Sequence, residues 1–345
     1  MPDVPGGAPG AQKPKPLNLA LQGGGSHGAF TWGVLDLLLE DGGFDLRGVS
    51  GTSAGAVNAV ALAHGFAQAA QQHKDPVEAR AAGAALARES LRRVWEGVGA
   101  MGSLMFGVPL RNPMSSWVGK WLSPYQTNPM GMNPLRSLLE RELDFDAIGQ
   151  LARPEVYVCA TNVRTGRGEL FAGKNLSVDA VMASACLPLL FQAVEIKGQY
   201  YWDGGYSGNP ALYPLFQQSG CADILLVQIN PIEHKALPSS AQDIHDRMNE
   251  VTFNASLLAE LRAIDFVRRL LAEGRLDTKR YKSVRLHRID GGTPLAGFGA
   301  ASKTRSDLAF IRQLFDLGRT HGQHWLQQHR SDVGVRPTLH LEEDT

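Results

Sequence analysis

Gly51-Thr52-Ser53-Ala54-Gly55 lies between two stretches of different character, and the fold turns on how it is read. Before it, Leu46–Val49 is a short apolar strand. After it, Ala54–Ala67 is a helix dominated by Ala and Gly, small enough to lie close to its neighbours. G-x-S-x-G occurs by chance in many chains, but between a strand and a helix it acquires a mechanical sense. A sharp strand-to-helix turn holds the serine on strained backbone, and small residues two before and two after it relieve the crowding. The N-terminus of the following helix adds free N–H groups and the positive end of its dipole near the serine oxygen. Ser53 is the candidate nucleophile, with Gly51 and Gly55 as its supports.

Outward from the serine, the same alternation repeats. Leu17–Leu21 is an apolar strand running into Gly23-Gly24-Gly25-Ser26-His27-Gly28, and Gly28–Glu40 is apolar nearly all round, as a helix buried against a sheet should be. Strand, helix, strand, helix predicts a parallel α/β sheet. Further along, Val156–Thr161 and Glu169–Ala172 are expected strands, Val178–Ser184 a short helix, and Ala193–Trp202 a hairpin turning at Lys197-Gly198. Asp223–Ile229 is an apolar strand, Phe253–Leu271 a helix with Leu257, Leu261, Ile264, Val267 and Leu271 on one face, Ser283–Ile289 a last strand and Asp307–Gln328 a last helix.

The triple-glycine loop admits two readings. Consecutive glycines leave N–H groups unobstructed and allow positive φ, so such a loop can present donors to a developing oxyanion. Gly23-x-Gly25-x-x-Gly28 also fits a dinucleotide fingerprint, which requires an acidic residue closing the second strand. That strand closes with Val49-Ser50 and turns into the serine elbow, so the cofactor reading fails and no cofactor is expected. The third element is Tyr201-Trp202-Asp203-Gly204-Gly205. An Asp followed by two glycines is often only a turn. Together with the other two elements it completes a nucleophile, an oxyanion hole and a base.

The ordered series of glycine loop, Gly-Thr-Ser-Ala-Gly and Asp-Gly-Gly resembles the patatin-like phospholipases. So do Ala183-Ser184-Ala185-Cys186-Leu187-Pro188 before the aspartate and Asn209-Pro210 after it. The resemblance spans roughly 17–211. It implies a three-layer α/β/α sandwich with a mostly parallel central sheet, a Ser–Asp dyad without histidine, and hydrolysis of phospholipids or other lipid esters without calcium. By position it assigns Ser53 as nucleophile and Asp203 as base. The oxyanion hole falls on Gly23, Gly24, Gly25 and Ser26, with Gly24 and Gly25 as the main donors and His27, Gly28, Gly204 and Gly205 in support. At 27 the family usually has Arg or Lys; this chain has His27, an imidazole mostly uncharged near neutral pH, so whether it replaces that cation is open.

Bulk properties set limits on partners. The chain has 345 residues with 34 Lys plus Arg against 34 Asp plus Glu, a balance that gives no electrostatic reason to expect nucleic acid. The three cysteines, Cys159, Cys186 and Cys221, sit far apart in apolar runs, which predicts core residues in a reducing compartment rather than a disulfide framework. No run of about 18 apolar residues exists, and Met1–Pro16 lacks the apolar core of a signal peptide. A disordered tail (1–16) and a cytoplasmic protein, with peripheral membrane contact open, are the expectations. The catalytic domain is expected over 17–212, with 213–345 completing or extending it. Residues 97–134, rich in Met, Trp, Gly and Pro, are expected to form a lid or acyl-channel wall. His321, His324 and His329 lack ligand spacing, so no metal is expected.

Three other functions fit the same residues. A thioesterase, polyester hydrolase or acyltransferase would use the same acyl-serine. An ordinary Ser–Asp–His hydrolase would need a histidine such as His287. A non-catalytic lipid-binding protein would leave the intact dyad unexplained.

Overall fold

The computed structural model describes residues 13–106, 123–128, 133–218, 220–233 and 237–339. Strand β1 (Lys15–Leu21) begins two residues before the expected Leu17, because Lys15 and Pro16 already pair with Phe44 and Asp45. Residues 1–12 of the expected tail lie outside the described residues. Helix α1 (Gly28–Asp41), strand β2 (Phe44–Gly51) and helix α2 (Ala54–Gln72) follow, and β1 and β2 are parallel as the alternation predicts.

Helix α3 (Pro76–Phe106) was not foreseen, and it takes in the first ten residues of the expected lid. The glycines that look like breakers there are contact points. A Cβ on Gly97 would meet Leu138 at 2.5 Å, and one on Gly102 would meet the Ser306 carbonyl at 2.1 Å. Helix tolerates glycine at about 1 kcal/mol each, and close packing offsets that cost. Of the rest of 97–134, residues 107–122 and 129–132 lie outside the described residues.

The short helices α4 (Pro124–Thr127), α5 (Pro134–Glu142) and α6 (Phe145–Gln150) lead to strands β3 (Glu155–Asn162) and β4 (Gly168–Ala172) and helix α7 (Val178–Ser184). Strands β5 (Val194–Ile196) and β6 (Gln199–Asp203) form the expected hairpin, turning on Lys197 and Gly198 at φ of 51° and 75°. Then come α8 (Tyr213–Gln218), β7 (Asp223–Gln228), α9 (Ala241–Ala272), β8 (Arg285–Asp290), α10 (Gly292–Ala296) and α11 (Leu308–His329).

The eight strands make one sheet in the order β5-β6-β3-β2-β1-β7-β8, with β4 on β3. From β3 to β8 the neighbours are parallel, and β4, β5 and β6 are antiparallel. Alternate side chains of each strand feed two cores. Leu19, Leu21, Val49, Val158, Leu225 and Val227 pack with α1, α2 and α11 on one face. Ala20, Tyr157, Ile224, Leu226 and Leu286 pack with Leu215 of α8 and Leu257 and Leu261 of α9 on the other. The result is the three-layer sandwich with a mostly parallel sheet. Strands β7 and β8, from beyond residue 212, extend the same sheet on the β1 side.

One detail of register positions the site. On one edge of β3, Glu155–Val158 pair with Gly48–Gly51 of β2 and, just beyond, Ala160–Asn162 pair with Asp203–Tyr201 of β6. The opposite edge carries β4. Strands β2 and β6 therefore approach each other end to end, so that the turn after Gly51 meets Asp203.

Candidate active site

Ser53 leaves β2 at φ 55° and ψ −120°, and with Lys197 it is one of two non-glycine residues of positive φ among the described residues. Such backbone costs about 1–3 kcal/mol and persists only where the surroundings fix it. Here the Ser53 N–H donates to Ser184 Oγ at 2.9 Å and the Thr52 hydroxyl donates to the Gly208 carbonyl at 2.6 Å. Gly51 and Gly55 are required by close approach: a Cβ would stand 2.3 Å from the Gly55 carbonyl oxygen in the first case and 2.1 Å from that of Leu21 in the second.

Asp203 ends β6 with no exposed surface. Its N–H donates to the Cys186 carbonyl at 2.8 Å, and its own carbonyl accepts from the Thr161 hydroxyl at 2.8 Å. Oδ1 accepts from the Gly205 N–H at 2.7 Å, while Oδ2 has no aligned partner among the described residues. Burial raises the carboxyl from 3.8 to about 7, opposed by the Gly205 N–H and by the nearby Ser53 hydroxyl. The hydroxyl thus lies close enough to steady the charge, although its geometry is not that of a formed hydrogen bond. Gly204 is pressed on the Cys159 carbonyl and Gly205 on the Phe253 ring, at 2.1 Å and 2.2 Å from their Cβ positions. These contacts bring the carboxylate to the elbow.

The glycine loop meets both elements. A Cβ on Gly23 would lie 2.7 Å from Ser53 Cβ, one on Gly28 would lie 2.6 Å from Ala54 Cβ, and one on Gly204 would lie 3.0 Å from Thr52 Cγ2. The structure therefore assembles all three sequence elements, and it bears on two details. The Gly23 N–H is already donated to Asn209 Oδ1 at 2.7 Å, so Gly23 supplies close approach and not an oxyanion donor. The N–H groups of Gly24, Gly25 and Ser26 have no acceptor among the described residues. Gly25 takes φ 59° beneath the Lys303 carbonyl, a conformation that suits glycine.

The second detail is His27, whose standing as a loop cation the sequence leaves open. The ring is 2% exposed, its Nε2 lies 2.7 Å from Ser302 Oγ, and Phe298 and Phe310 flank it at 6.5 and 6.4 Å. Burial, then the charge of Lys303, push it down to about 3. Both effects favour the neutral ring, so the surroundings of His27 oppose its serving as a loop cation.

His287 is not part of the site. It lies on β8, three strand spacings or roughly 14 Å across the sheet from β2. Its Nε2 meets Asp223 Oδ1 at 3.1 Å and its Nδ1 meets Thr338 Oγ1 at 3.1 Å, so it fastens the chain after α11 to the sheet. His321 packs edge-on against Phe30, and His329 pairs with Asp332. Among the described residues no group of three His, Cys, Asp or Glu could hold a metal. The three cysteines are buried and free, and burial pushes the Cys159 and Cys186 thiols up to about 12.

Several partners went unrecognised in the sequence. Ser184 and Asn209 lie inside quoted motifs, yet nothing local says that they hold the N–H groups of Ser53 and Gly23. Asn230 directly follows an apolar strand, a weak signal, and Lys303 gives none.

The model of the Patatin-like phospholipase family matches residues 19–215, more than half of the chain. The chain belongs to the patatin-like phospholipase family. The patatin-like segment contains the glycine loop, the elbow, Asp203 and Asn209, whereas β7, α9, β8 and α11 follow it. The family is one of lipid acyl hydrolases, which act on ester bonds. No curated protein sequence matches the chain. Among solved structures, VipD from Legionella pneumophila is similar at 15% identity and a TM-score of 0.36, over 89% of this chain and 67% of that one, a likeness too loose to carry function.

Proposed function

We propose that this protein is a serine acyl hydrolase of lipid esters, working through an acyl-serine. Asp203 accepts the Ser53 hydroxyl proton as the oxygen attacks the ester carbonyl. The N–H groups of Gly24 and Gly25, with Ser26, meet the charge that develops on the carbonyl oxygen. The alcohol leaves with a proton returned from Asp203. Water then attacks the acyl-serine as Asp203 takes its proton, and Asp203 returns that proton to the Ser53 oxygen as the acyl–oxygen bond breaks and the carboxylic acid departs.

The observation that carries this reading is the assembly of the fully buried Asp203 carboxyl, the strained Ser53 elbow and the glycine loop pressed against it, and burial raises that carboxyl to about 7. A carboxylate near its ordinary value is a feeble base for a hydroxyl; one raised toward neutral pH is matched to the task. The substrate side has its own support. Leu189 and Leu190, 79% and 52% exposed, follow Cys186, whose carbonyl binds the Asp203 N–H. Beside them a cleft of about 240 Å³ is lined by Met182, Phe191 and Val194 together with Asn133, Gln192 and Glu195, with the Arg136–Asp179 ion pair at its wall; it reaches Cys186 but neither Ser53 nor Asp203 lines it. An apolar rim and a partly charged cleft suit an amphiphile at a lipid surface.

The test is hydrolysis of a lipid panel read by mass spectrometry with wild type, Ser53→Ala and Asp203→Asn. Fatty acid released by wild type alone supports the proposal. Release by Ser53→Ala at the wild-type rate overturns it. Products in which the acyl group moves to an added alcohol would reassign the same dyad to transfer.

A further inference from the structure

Lys303 sits in the turn Ala300–Thr304 ahead of α11, outside the segment that carries the family motifs. Its carbonyl oxygen covers Gly25, and its ammonium donates to Asn230 Oδ1 at 2.9 Å. Asn230 Nδ2 in turn donates to the Gly23 carbonyl at 2.6 Å and to Gln22 Oε1 at 3.2 Å. This amide has one possible orientation, because only an NH₂ can donate to two carbonyl oxygens while the oxygen accepts from an ammonium. Gln22 Oε1 fixes it further by accepting from the backbone N–H groups of Ile229 and Asn230, both at 2.9 Å.

The Gly23 carbonyl and the Gly24 N–H are two ends of one peptide group. A short hydrogen bond to the carbonyl polarises that group and makes its N–H the stronger donor, and a cation at the head of the series adds to the effect. The Gly24 N–H has no acceptor among the described residues, and Gly23 lies against Ser53. We infer that Lys303, acting through Asn230, polarises the Gly23–Gly24 peptide and so strengthens the Gly24 N–H as an oxyanion donor. This rests on the acyl-hydrolase reading of the site. Lys303 is a positioning residue: it touches neither Ser53 nor the reacting atoms in this scheme.

The surroundings favour delivery of the charge to the loop. The Lys303 side chain is 20% exposed, and its bonded acceptor is a neutral amide. Glu250 Oε1 on α9 forms a long ion pair with the ammonium at 3.9 Å, and Asp246 on the same helix also holds its charge. His27, the titratable group facing it from the loop, is neutral. Burial lowers the Lys303 pKa against the opposing pull of Glu250 and Asp246, so its charge is lost at a less alkaline pH than an ordinary lysine's.

The experiment compares full-length wild type, Lys303→Met and Lys303→Arg by steady-state ester hydrolysis and by the Gly24 amide resonance in glycine-labelled protein. Lys303→Met should lower kcat about tenfold, a fraction of what removal of an oxyanion donor costs. KM should change by less than about twofold, because the donor acts in the transition state. The Gly24 amide proton should move upfield, and Lys303→Arg should restore both readouts. In wild type, kcat should fall on the alkaline side as Lys303 loses its proton, and that limb should shift to higher pH in Lys303→Arg, which tests the idea even if Lys303→Met fails to fold. Unchanged kcat with an unmoved Gly24 resonance would overturn the inference. Equal losses in both variants with a lowered unfolding midpoint would do so as well, assigning Lys303 to packing. A wild type without esterase activity in which Gly24 still responds to Lys303→Met would sink the hydrolase reading and leave the polarised peptide standing.

Discussion

Replacing Asp203 by asparagine should abolish hydrolysis and, above neutral pH, make the protein harder to unfold. Asp203 is fully buried, with one oxygen bonded to the Gly205 N–H and the other without an aligned partner. Its folded pKa, about 7, lies above the ordinary 3.8. Below pH 4 the carboxyl is protonated in both folded and unfolded chains. Between pH 4 and 7 the folded chain holds a proton that the unfolded chain has lost, so stability declines as pH rises. Above pH 7 the ionised, buried carboxylate costs roughly 4 kcal/mol relative to the neutral group, at about 1.4 kcal/mol for each pH unit of the rise. An asparagine keeps the acceptor for Gly205 and carries no charge. The difference in unfolding free energy between Asp203→Asn and wild type should therefore be smallest near pH 4, grow through pH 5 and 6, and level off near pH 8 in favour of the variant. Urea unfolding of both proteins at these values measures it, and all other titrating groups cancel in the difference. A difference independent of pH, or a variant less stable than wild type at pH 8, would refute the reasoning. The same pKa requires wild-type kcat to rise with pH through about 7, since the base must be unprotonated.

The remaining predictions follow from single contacts. Ser53→Gly should remove hydrolysis and raise stability by about 1 kcal/mol, positive-φ strain being relieved at the expense of glycine's added chain entropy; urea midpoints decide, and a less stable variant would contradict the strain. His287→Ala should cost about 2–4 kcal/mol by opening a cavity beside Trp325 and removing one of the partners of Asp223 and of Thr338, yet leave kcat of the folded enzyme unchanged; loss of activity in fully folded protein would revive a Ser–Asp–His triad. His27→Arg should lower stability by about 3 kcal/mol, because it forces a cation into a pocket shared with Lys303, Phe298 and Phe310; a variant as stable as wild type would show that the pocket is not closed.

Most of the architecture was legible because the residues that build it are local. The apolar run of β1, the glycine loop and the strand–serine–helix turn each sit within a few residues, and each takes the predicted form. Helix α3 was not legible, because its glycines fit neighbours distant in sequence, Leu138 and Ser306. The site divides in the same way. Ser53 and Asp203 announce themselves by glycines at fixed offsets. The groups that hold them, Ser184 for the Ser53 N–H and Asn209 for Gly23, are set by a sheet register that brings residues more than a hundred positions apart into contact. His27 illustrates the limit of position alone: its place in the loop suggests a cation, and burial between two phenylalanines makes it neutral. A cation reaches the loop instead from residue 303, in a turn with no motif.

The central claim is that a lipid acyl group passes through Ser53 with Asp203 as the base. Its most direct test is a rapid acid quench of wild type mixed with an ester substrate, followed by peptide mass spectrometry. The account predicts an added acyl mass on the peptide containing Ser53 in wild type and none in Asp203→Asn. Turnover of the ester with no acyl mass on Ser53, or with the mass on another residue, would contradict it.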